Sequence, residues 1–438
     1  MNRPICIIGT GYVGMACMIG LAELGWTVHG YDIATDRIER LRLGMPPYRE
    51  HGLQEALVEH AAHGRMRFFN SLTEAVRDAE IVIIAVGTPS LEDGSADIRA
   101  LESVLVELST IRFETWPTIV VRSTVPPGTC DRYAPLVERW GELVYAPEFL
   151  REGSAVSDFL KPDRIVVGAR TPLIAVPYVH LFEALQKPVV FMSLCNAELV
   201  KGCSNAFLAM KITYANEVAD LCDAFGTHYD DVIRAMGYDP RIGADFLRPG
   251  IGFGGPCLEK DVKSIRHIAM QMETSRELFS ATLRVNDRQP MRVIEALVRE
   301  IGSIEGAAIG VWGLAFKPGT DDMRDSLAVR IVEELGARGA LMTAYDPAIY
   351  VAPLPAGSRL VRSAIEATDA DALIVLTDWP EFSETDPLTF AHMLRRRVVI
   401  DGCNVLDARR IASAGLTYRG IGRPGTPTTT RLTYASAL

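Results

Sequence analysis

A chain of 438 residues is too long for one hydrophobic core, so two or three domains are expected. Its net charge of −10, from 45 basic and 55 acidic residues, excludes the basic footprint of a nucleic-acid partner, and no apolar run reaches the roughly 18 residues of a membrane span. The eight cysteines include no CxxC pair, no signal peptide precedes Pro4, and the eight histidines, His60 and His63 among them, join no Cys or carboxylate set for a metal, so the expected setting is cytoplasmic and metal-free.

Ile5 to Ile8 reads as a strand, Gly9-Thr10-Gly11-Tyr12-Val13-Gly14 as a tight turn and Met15 to Leu24 as a helix. In that order the first glycine makes the turn, the second lets a pyrophosphate reach the backbone, and the third lets helix pack on strand, with the helix dipole facing the phosphates. A second strand, Thr27 to Tyr31, ends in Asp32, about 18 residues past Gly14, where a carboxylate accepts from both adenosine ribose hydroxyls and repels a 2′-phosphate. The expected cofactor is NAD rather than NADP, although Arg37 offers a phosphate contact of its own.

Ile81 to Val86 reads as a buried parallel strand ending in Gly87-Thr88-Pro89. Thr118 to Val121 ends in Arg122-Ser123-Thr124, and Leu143 to Tyr145 in Ala146-Pro147-Glu148-Phe149-Leu150. In open α/β sheets such strand ends face the cofactor crevice, which places Thr88 there and points Glu148 and Glu152 into it; a solvated loop edge accounts for these carboxylates equally well. The spacing then turns helical from Asn196 to Phe225, about thirty residues without a proline, and puts Lys201 and Asn205 on one face. A shielded lysine beside an amide can position water or an oxyanion, whereas most helical lysines are merely solvated.

Residues 252–261 read GFGGPCLEKD. Glycines at 252, 254 and 255 permit close backbone approach and positive φ, and Cys257 follows with Lys260 and Asp261 just beyond. A helix starting at Pro256 would put Asp261 on the face of Cys257; a nearby cation or helix N-terminus would activate the thiol. The bland alternative is one more buried small hydrophobe. A second α/β module follows: a strand from Ala307 to Trp312, a turn over Gly313–Thr320, a helix from Ser326 to Arg338, and strands ending at Asp346-Pro347, Thr377-Asp378-Trp379 and Asp401-Gly402. The expected fold is therefore α/β, with two Rossmann-like doubly wound parallel-sheet domains joined by a long central helix and a helical domain. The boundaries are 1–195, 196–300 and 301–425, with a mobile Thr- and Pro-rich tail over 426–438.

GxGYVG, STVPPGT, PEFLREG, the NAFLAMKITYANE helix, RIGADFLRPGIGFGGPCLEKD, GLAFKPGTDDMRDS and TDWPEF stand in this order. Together they resemble the UDP-glucose/GDP-mannose dehydrogenase family up to about residue 407, and most closely its UDP-glucose 6-dehydrogenase members. The resemblance implies an NAD-dependent oxidation of a nucleotide sugar at C6, from alcohol to carboxylate in two steps, in polysaccharide biosynthesis. It implies that Cys257 is a nucleophile passing through a thiohemiacetal and a thioester, that Asp261 and Lys201 handle the hydroxyl proton through a water, that Asn205 positions the C6 oxygens and that Glu148 activates the hydrolytic water. Tyr12, Val13, Thr124, Glu152 and Arg324 would serve the cofactor. Phe149, Leu150, Phe246, Leu247, Gly254, Lys260 and Lys317 would serve the substrate, with Arg241 reaching the sugar of a neighbouring subunit in a homodimer or higher homo-oligomer.

Two segments depart from the family pattern, the first beginning with Pro256 where the family often has a serine before the cysteine. Glu259 stands in place of a proline and adds negative charge near the thiol, and Cys403 replaces an arginine on the nucleotide-sugar side. GDP-mannose, UDP-N-acetylhexosamines and dTDP-glucose are therefore the rival substrates. Hydroxyacid dehydrogenases, which lack the cysteine and the third module, and a catalytically silent nucleotide-binding scaffold are the rival functions.

Overall fold

The computed structural model describes residues 3–423. The tail expected over 426–438 lies outside the described residues. The chain forms two compact units: one takes the chain up to Ala206 together with Lys260–Phe279, the other takes Phe207–Glu259 and the described chain from Ser280 onward.

Short runs rich in Ile and Val build the first unit's sheet: β1 (Ile5–Ile8), β2 (Val28–Tyr31), β3 (Met66–Phe69), β4 (Ile81–Ile84), β5 (Thr118–Val121), β6 (Glu142–Tyr145), β7 (Ile165–Gly168) and β8 (Val189–Met192). Every residue of β1, β4, β5 and β7 is buried, as expected where a parallel sheet is covered on both faces. Period two divides them between two cores: Ile5, Ile7, Ile81 and Ile83 face one, and Cys6, Ile8, Val82 and Ile84 the other. The strand order is β3-β2-β1-β4-β5-β6-β7-β8, so the chain reverses direction across the sheet between β1 and β4, the kind of switch point where open sheets bind ligands. The pairing is parallel up to β6, but β6 meets β7 antiparallel at Tyr145 and Gly168, so the last two strands run against the others. The expected all-parallel sheet thus carries a reversed edge.

The second unit repeats the plan with β9 (Ala308–Trp312), β10 (Leu341–Tyr345), β11 (Arg359–Leu360), β12 (Ala370–Val375), β13 (Leu394–Asp401) and β14 (Thr417–Gly420). They are all parallel in the order β11-β10-β9-β12-β13-β14. Long helices complete the chain: Leu194–Phe225, with 32 residues, and Glu277–Ile301, with 25.

The two sheets share more than their order. Gly9 (φ +93°) donates its N–H to the Tyr31 carbonyl at 2.8 Å, and Gly313 (φ +94°) donates to the Tyr345 carbonyl at 2.8 Å. Asp32 accepts the N–H groups of Thr10 at 2.8 Å and Ala34 at 3.0 Å. Asp346 accepts those of Leu314 at 2.8 Å, Ala315 at 3.0 Å and Ala348 at 2.9 Å. The side-chain partners differ. Arg37 pairs with Asp32, whereas the Trp379 indole N–H closes over Asp346 at 3.2 Å.

Replacing Asp346 with alanine strands several buried N–H donors at once. The Asp346→Ala protein is expected to lose about 2 to 3 kcal/mol of stability, read as a lowered unfolding midpoint in denaturant against wild type.

Candidate functional site

The cofactor seat is built at the end of β1. The helix Tyr12–Glu23 starts directly after Gly11, leaving its first N–H groups free of helical partners. The three glycines answer three different demands. A side chain on Gly9 would meet the Ala85 carbonyl oxygen at 2.6 Å and one on Gly14 the Gly9 carbonyl at 1.8 Å, while one on Gly11 would meet nothing within 4 Å. Gly11 therefore opens onto free space at a helix N-terminus, which fits a pyrophosphate. Asp32 is buried, and although burial opposes its charge, the N–H groups of Ala34 and Thr10 and the Arg37 guanidinium hold it below the ordinary carboxylate range. Its ionised carboxylate suits ribose hydroxyls. Arg37, read from sequence as a phosphate contact, is instead 2.8 Å from Asp32 Oδ2. At the ends of β4 and β5, the Thr88 hydroxyl donates to the Thr124 carbonyl at 2.7 Å, lacing the two loops together.

A buried cluster of charge lies in the same unit. Glu148, just past β6, has Oε1 2.9 Å from Lys201 Nζ and accepts the Leu150 N–H on Oε2 at 2.6 Å. Both ionic side chains are under a tenth exposed. Burial opposes ionisation of Glu148, but Lys201, the Leu150 N–H and Arg122 outweigh it and hold the carboxyl below its ordinary range. One helical turn past Lys201, Asn205 Nδ2 donates to Asp261 Oδ2 at 2.6 Å, and Lys260 Nζ donates to Oδ1 at 2.8 Å. Four of the five expected catalytic side chains are thus buried together in one unit. Phe149 lies between two cations, 3.9 Å from the Arg164 guanidinium and 5.6 Å from Lys201 Nζ, measured to its ring centre.

Two supports of this cluster carry no signal in the linear sequence. Arg122 is a buried cation that donates to the Tyr178 hydroxyl at 2.7 Å. Glu198 is 1% exposed and accepts the N–H groups of Gly128 at 2.6 Å and Cys130 at 2.7 Å, meeting free donors at the start of the Thr129–Val137 helix. Both partnerships join segments dozens of residues apart.

Cys257 belongs to the second unit, where it is exposed in the turn immediately before the helix Leu258–Gln271. The helix starts at Leu258 rather than Pro256, so the thiol stands just ahead of its first turn and Asp261 is its fourth residue. Unpaired N–H groups at a helix start favour a thiolate. The glycines before it pack against protein. A side chain on Gly252 would meet Asn286 Oδ1 at 2.4 Å, one on Gly254 the Asp325 carbonyl at 2.7 Å, and one on Gly255 the Phe316 ring at 2.5 Å. Asn286, buried on the Glu277–Ile301 helix, clasps the backbone between them, accepting the Phe253 N–H at 2.8 Å and donating to its carbonyl at 2.9 Å. Sequence reading missed this residue; nothing marks one helical asparagine as the partner of a distant turn.

Comparison with known proteins accounts for these parts together. The chain matches the NAD binding domain of the UDP-glucose/GDP-mannose dehydrogenase family over residues 3–186, its central domain over 195–288 and its UDP binding domain over 310–408. The chain belongs to the UDP-glucose/GDP-mannose dehydrogenase family. It is an NAD-dependent oxidoreductase of that family. It is 36% identical to the UDP-glucose 6-dehydrogenase TuaD of Bacillus subtilis (strain 168), over 96% of this chain and 94% of that protein. Among solved structures it resembles a UDP-glucose dehydrogenase from the hyperthermophilic archaeon Pyrobaculum islandicum, with a TM-score of 0.89 and 37% identity over 96% and 98% of the two chains. It also resembles a UDP-D-ManNAc dehydrogenase from Pyrococcus horikoshii, with a TM-score of 0.85 and 26% identity over 97% and 100%.

The remaining residues that the family resemblance singles out can be placed within their own units. In the first, Val13 begins the cofactor helix, and Leu150 and Glu152 are half-buried in the loop after Glu148. In the second, Phe246 holds a left-handed φ of +63°, a conformation that bulky residues seldom adopt, and the Leu247 carbonyl beside it accepts from the Tyr229 hydroxyl at 3.1 Å. Lys317 is half-buried, with Nζ 5.6 Å from the Phe316 ring centre; Arg324 pairs with Asp322 and Arg241 with Asp239. A Cβ on Gly254 would meet the Asp325 carbonyl oxygen of its own unit. Glu259 is half-buried on the first turn of its helix. Burial, with Asp378 and Asp401 nearby, pushes the Cys403 thiol far up, so it offers no charge where a family arginine would stand.

The depressed Glu148 carboxyl sets a pH dependence. Its contribution to stability is fully present above the ordinary carboxylate value and is lost as pH falls through the lower folded value. Glu148→Gln is expected to cost about 3 kcal/mol at neutral pH by removing the buried carboxylate that faces Lys201 Nζ. That gap to wild type should close on acidification, as parallel denaturant titrations at several pH values would register.

Proposed function

We propose that this protein is a UDP-glucose 6-dehydrogenase, converting UDP-glucose to UDP-glucuronate by a four-electron oxidation at C6. The observation that carries the four-electron reading is Cys257, an exposed thiol placed just ahead of a helix start in a chain that also buries Lys201, Asn205, Asp261 and Glu148. The choice of UDP-glucose is supported by relatives of that name at 36% and 37% identity across nearly the whole chain.

Bound NAD supplies the oxidant for both oxidations. Asp261 and Lys201 take charge of the C6 hydroxyl proton and of the negative charge that develops on oxygen, and Asn205 orients that oxygen. Cys257 adds its sulfur to the aldehyde carbon; the thiohemiacetal holds the reactive carbonyl in place, and its oxidation leaves a thioester. Glu148 then takes a proton from water, whose oxygen attacks the thioester and releases carboxylate and thiol. When an oxyanion draws Lys201 away, burial is no longer offset by that partner, and Glu148 becomes a stronger base at the moment hydrolysis needs one.

The expected division into parts at 1–195, 196–300 and 301–425 is supported by three separate family matches in that order. A homodimer or larger homo-oligomer is supported by an apolar stripe on the Leu194–Phe225 helix: Phe207, Tyr214, Leu221 and Phe225 share one face, and all are exposed, from 49% to 76%. Arg241 is exposed beside Asp239, a surface position that fits the reach to a neighbour's sugar implied by the family resemblance. Eight free cysteines fit work in the reducing cytoplasm.

The deciding test counts NADH per sugar consumed, using UDP-glucose, GDP-mannose, UDP-N-acetylmannosamine, UDP-N-acetylglucosamine and dTDP-glucose. Two NADH per UDP-glucose is the expected outcome. The same ratio with another donor alone reassigns the substrate, one NADH per sugar removes the covalent route, and none from any donor favours a silent nucleotide-binding scaffold. Cys257→Ser should lose turnover at least a thousandfold while binding NAD as wild type does.

A further inference from the structure

One cluster in the first unit has no part in the chemistry above and yet touches both of its ingredients. Tyr12 stands between the second and third glycines of the cofactor turn. Its phenolic oxygen lies 3.1 Å from Glu50 Oε2 and 2.9 Å from the Arg151 carbonyl oxygen. The other Glu50 oxygen accepts the Val156 N–H at 3.1 Å, in the Ala155–Leu160 helix. Tyr48 closes the group, its hydroxyl donating to the Tyr12 carbonyl at 3.2 Å and its ring centre 4.4 Å from that of Tyr12. Arg151 and Val156 belong to the segment that carries Glu152 and follows directly on Glu148. Glu50 therefore has one oxygen on the cofactor turn and the other on the segment holding the hydrolytic glutamate.

We propose that Glu50 is a positioning residue that couples the cofactor seat to the Glu148–Glu152 loop. A phenol has one proton, and here two acceptors face it, Glu50 and the Arg151 carbonyl. Moving the loop changes which of them receives that proton, so the set of the turn and the set of the loop are not independent. Closing the bracket holds the loop where NAD needs Glu152 and where hydrolysis needs Glu148; opening it loosens both together. The inference rests on the reading of Glu148 and Glu152 given above.

The test is a double-mutant cycle read by NADH binding, followed by its fluorescence without sugar or turnover. Glu50→Ala and Tyr12→Phe are each expected to weaken NADH binding about tenfold, and the double variant about tenfold as well, because both cut one bracket. Glu50→Gln should restore nearly wild-type affinity, since an amide can accept from Val156 N–H and donate to the Tyr12 oxygen, a rescue that a purely space-filling role does not predict. A hundredfold loss in the double variant, unchanged affinity in both singles, or a glutamine variant as weak as the alanine one would each overturn the proposal. Should Glu50→Ala fold poorly, Tyr12→Phe and Glu50→Gln still decide it. The underlying reading fails separately: if Glu148→Gln hydrolyses its thioester at the wild-type rate, the hydrolytic assignment falls while the NADH titrations still judge the coupling.

Discussion

Each sheet of this chain rests on one requirement. Where the first strand of the module stops, backbone N–H groups are left pointing out of the sheet, and they must be met by acceptors before the chain can turn back as helix or loop. The carboxylate at the end of the neighbouring strand meets them, Asp32 in one unit and Asp346 in the other. What covers the carboxylate then decides what the module can do. Around Asp32 the remaining partners are a hydroxyl and a half-exposed arginine, groups that can yield to a ribose. Around Asp346 an indole ring joins three backbone donors, and that acid is spent on the fold.

The buried polar cluster of the first unit follows a second principle, that buried charges come in pairs because each would be too costly alone. Glu148 meets Lys201, and Asp261 meets Asn205 and Lys260, each through short polar contacts. Each pair is stable until a reacting oxygen competes for one member. The thiol is placed differently: Cys257 is exposed, just ahead of a helix start whose backbone dipoles favour a thiolate.

Whatever is local in the chain could be read from it. The strand, glycine turn and acid of β1 and β2 need only a few consecutive residues and a known period, and the strand–turn–helix order stands as read. The long helix carrying Lys201 and Asn205 was equally plain from its spacing and its lack of proline. Partnerships across the chain were not legible: Glu198 beneath the Gly128 turn, Arg122 with Tyr178, Asn286 on Phe253 and Glu50 between two loops each join residues that no periodicity connects. The same blindness explains Arg37, whose charge was visible but whose partner was not. The reversed pairing of β6 with β7 has no sequence mark, since a buried run of Ile and Val looks the same in either direction.

The filled glycines ahead of Cys257 bear on how this enzyme can change. With Asn286, the Asp325 carbonyl and the Phe316 ring occupying the places where side chains would go, any mutation at Gly252, Gly254 or Gly255 is judged first by whether the chain folds, before any new substrate is tried. A library aimed at altered sugar preference would waste its members there. Diversity is better spent on positions such as Lys317, half-buried and next in the chain to Phe316, so that the turn before the thiol stays the least evolvable part of the molecule while its surroundings remain open to selection.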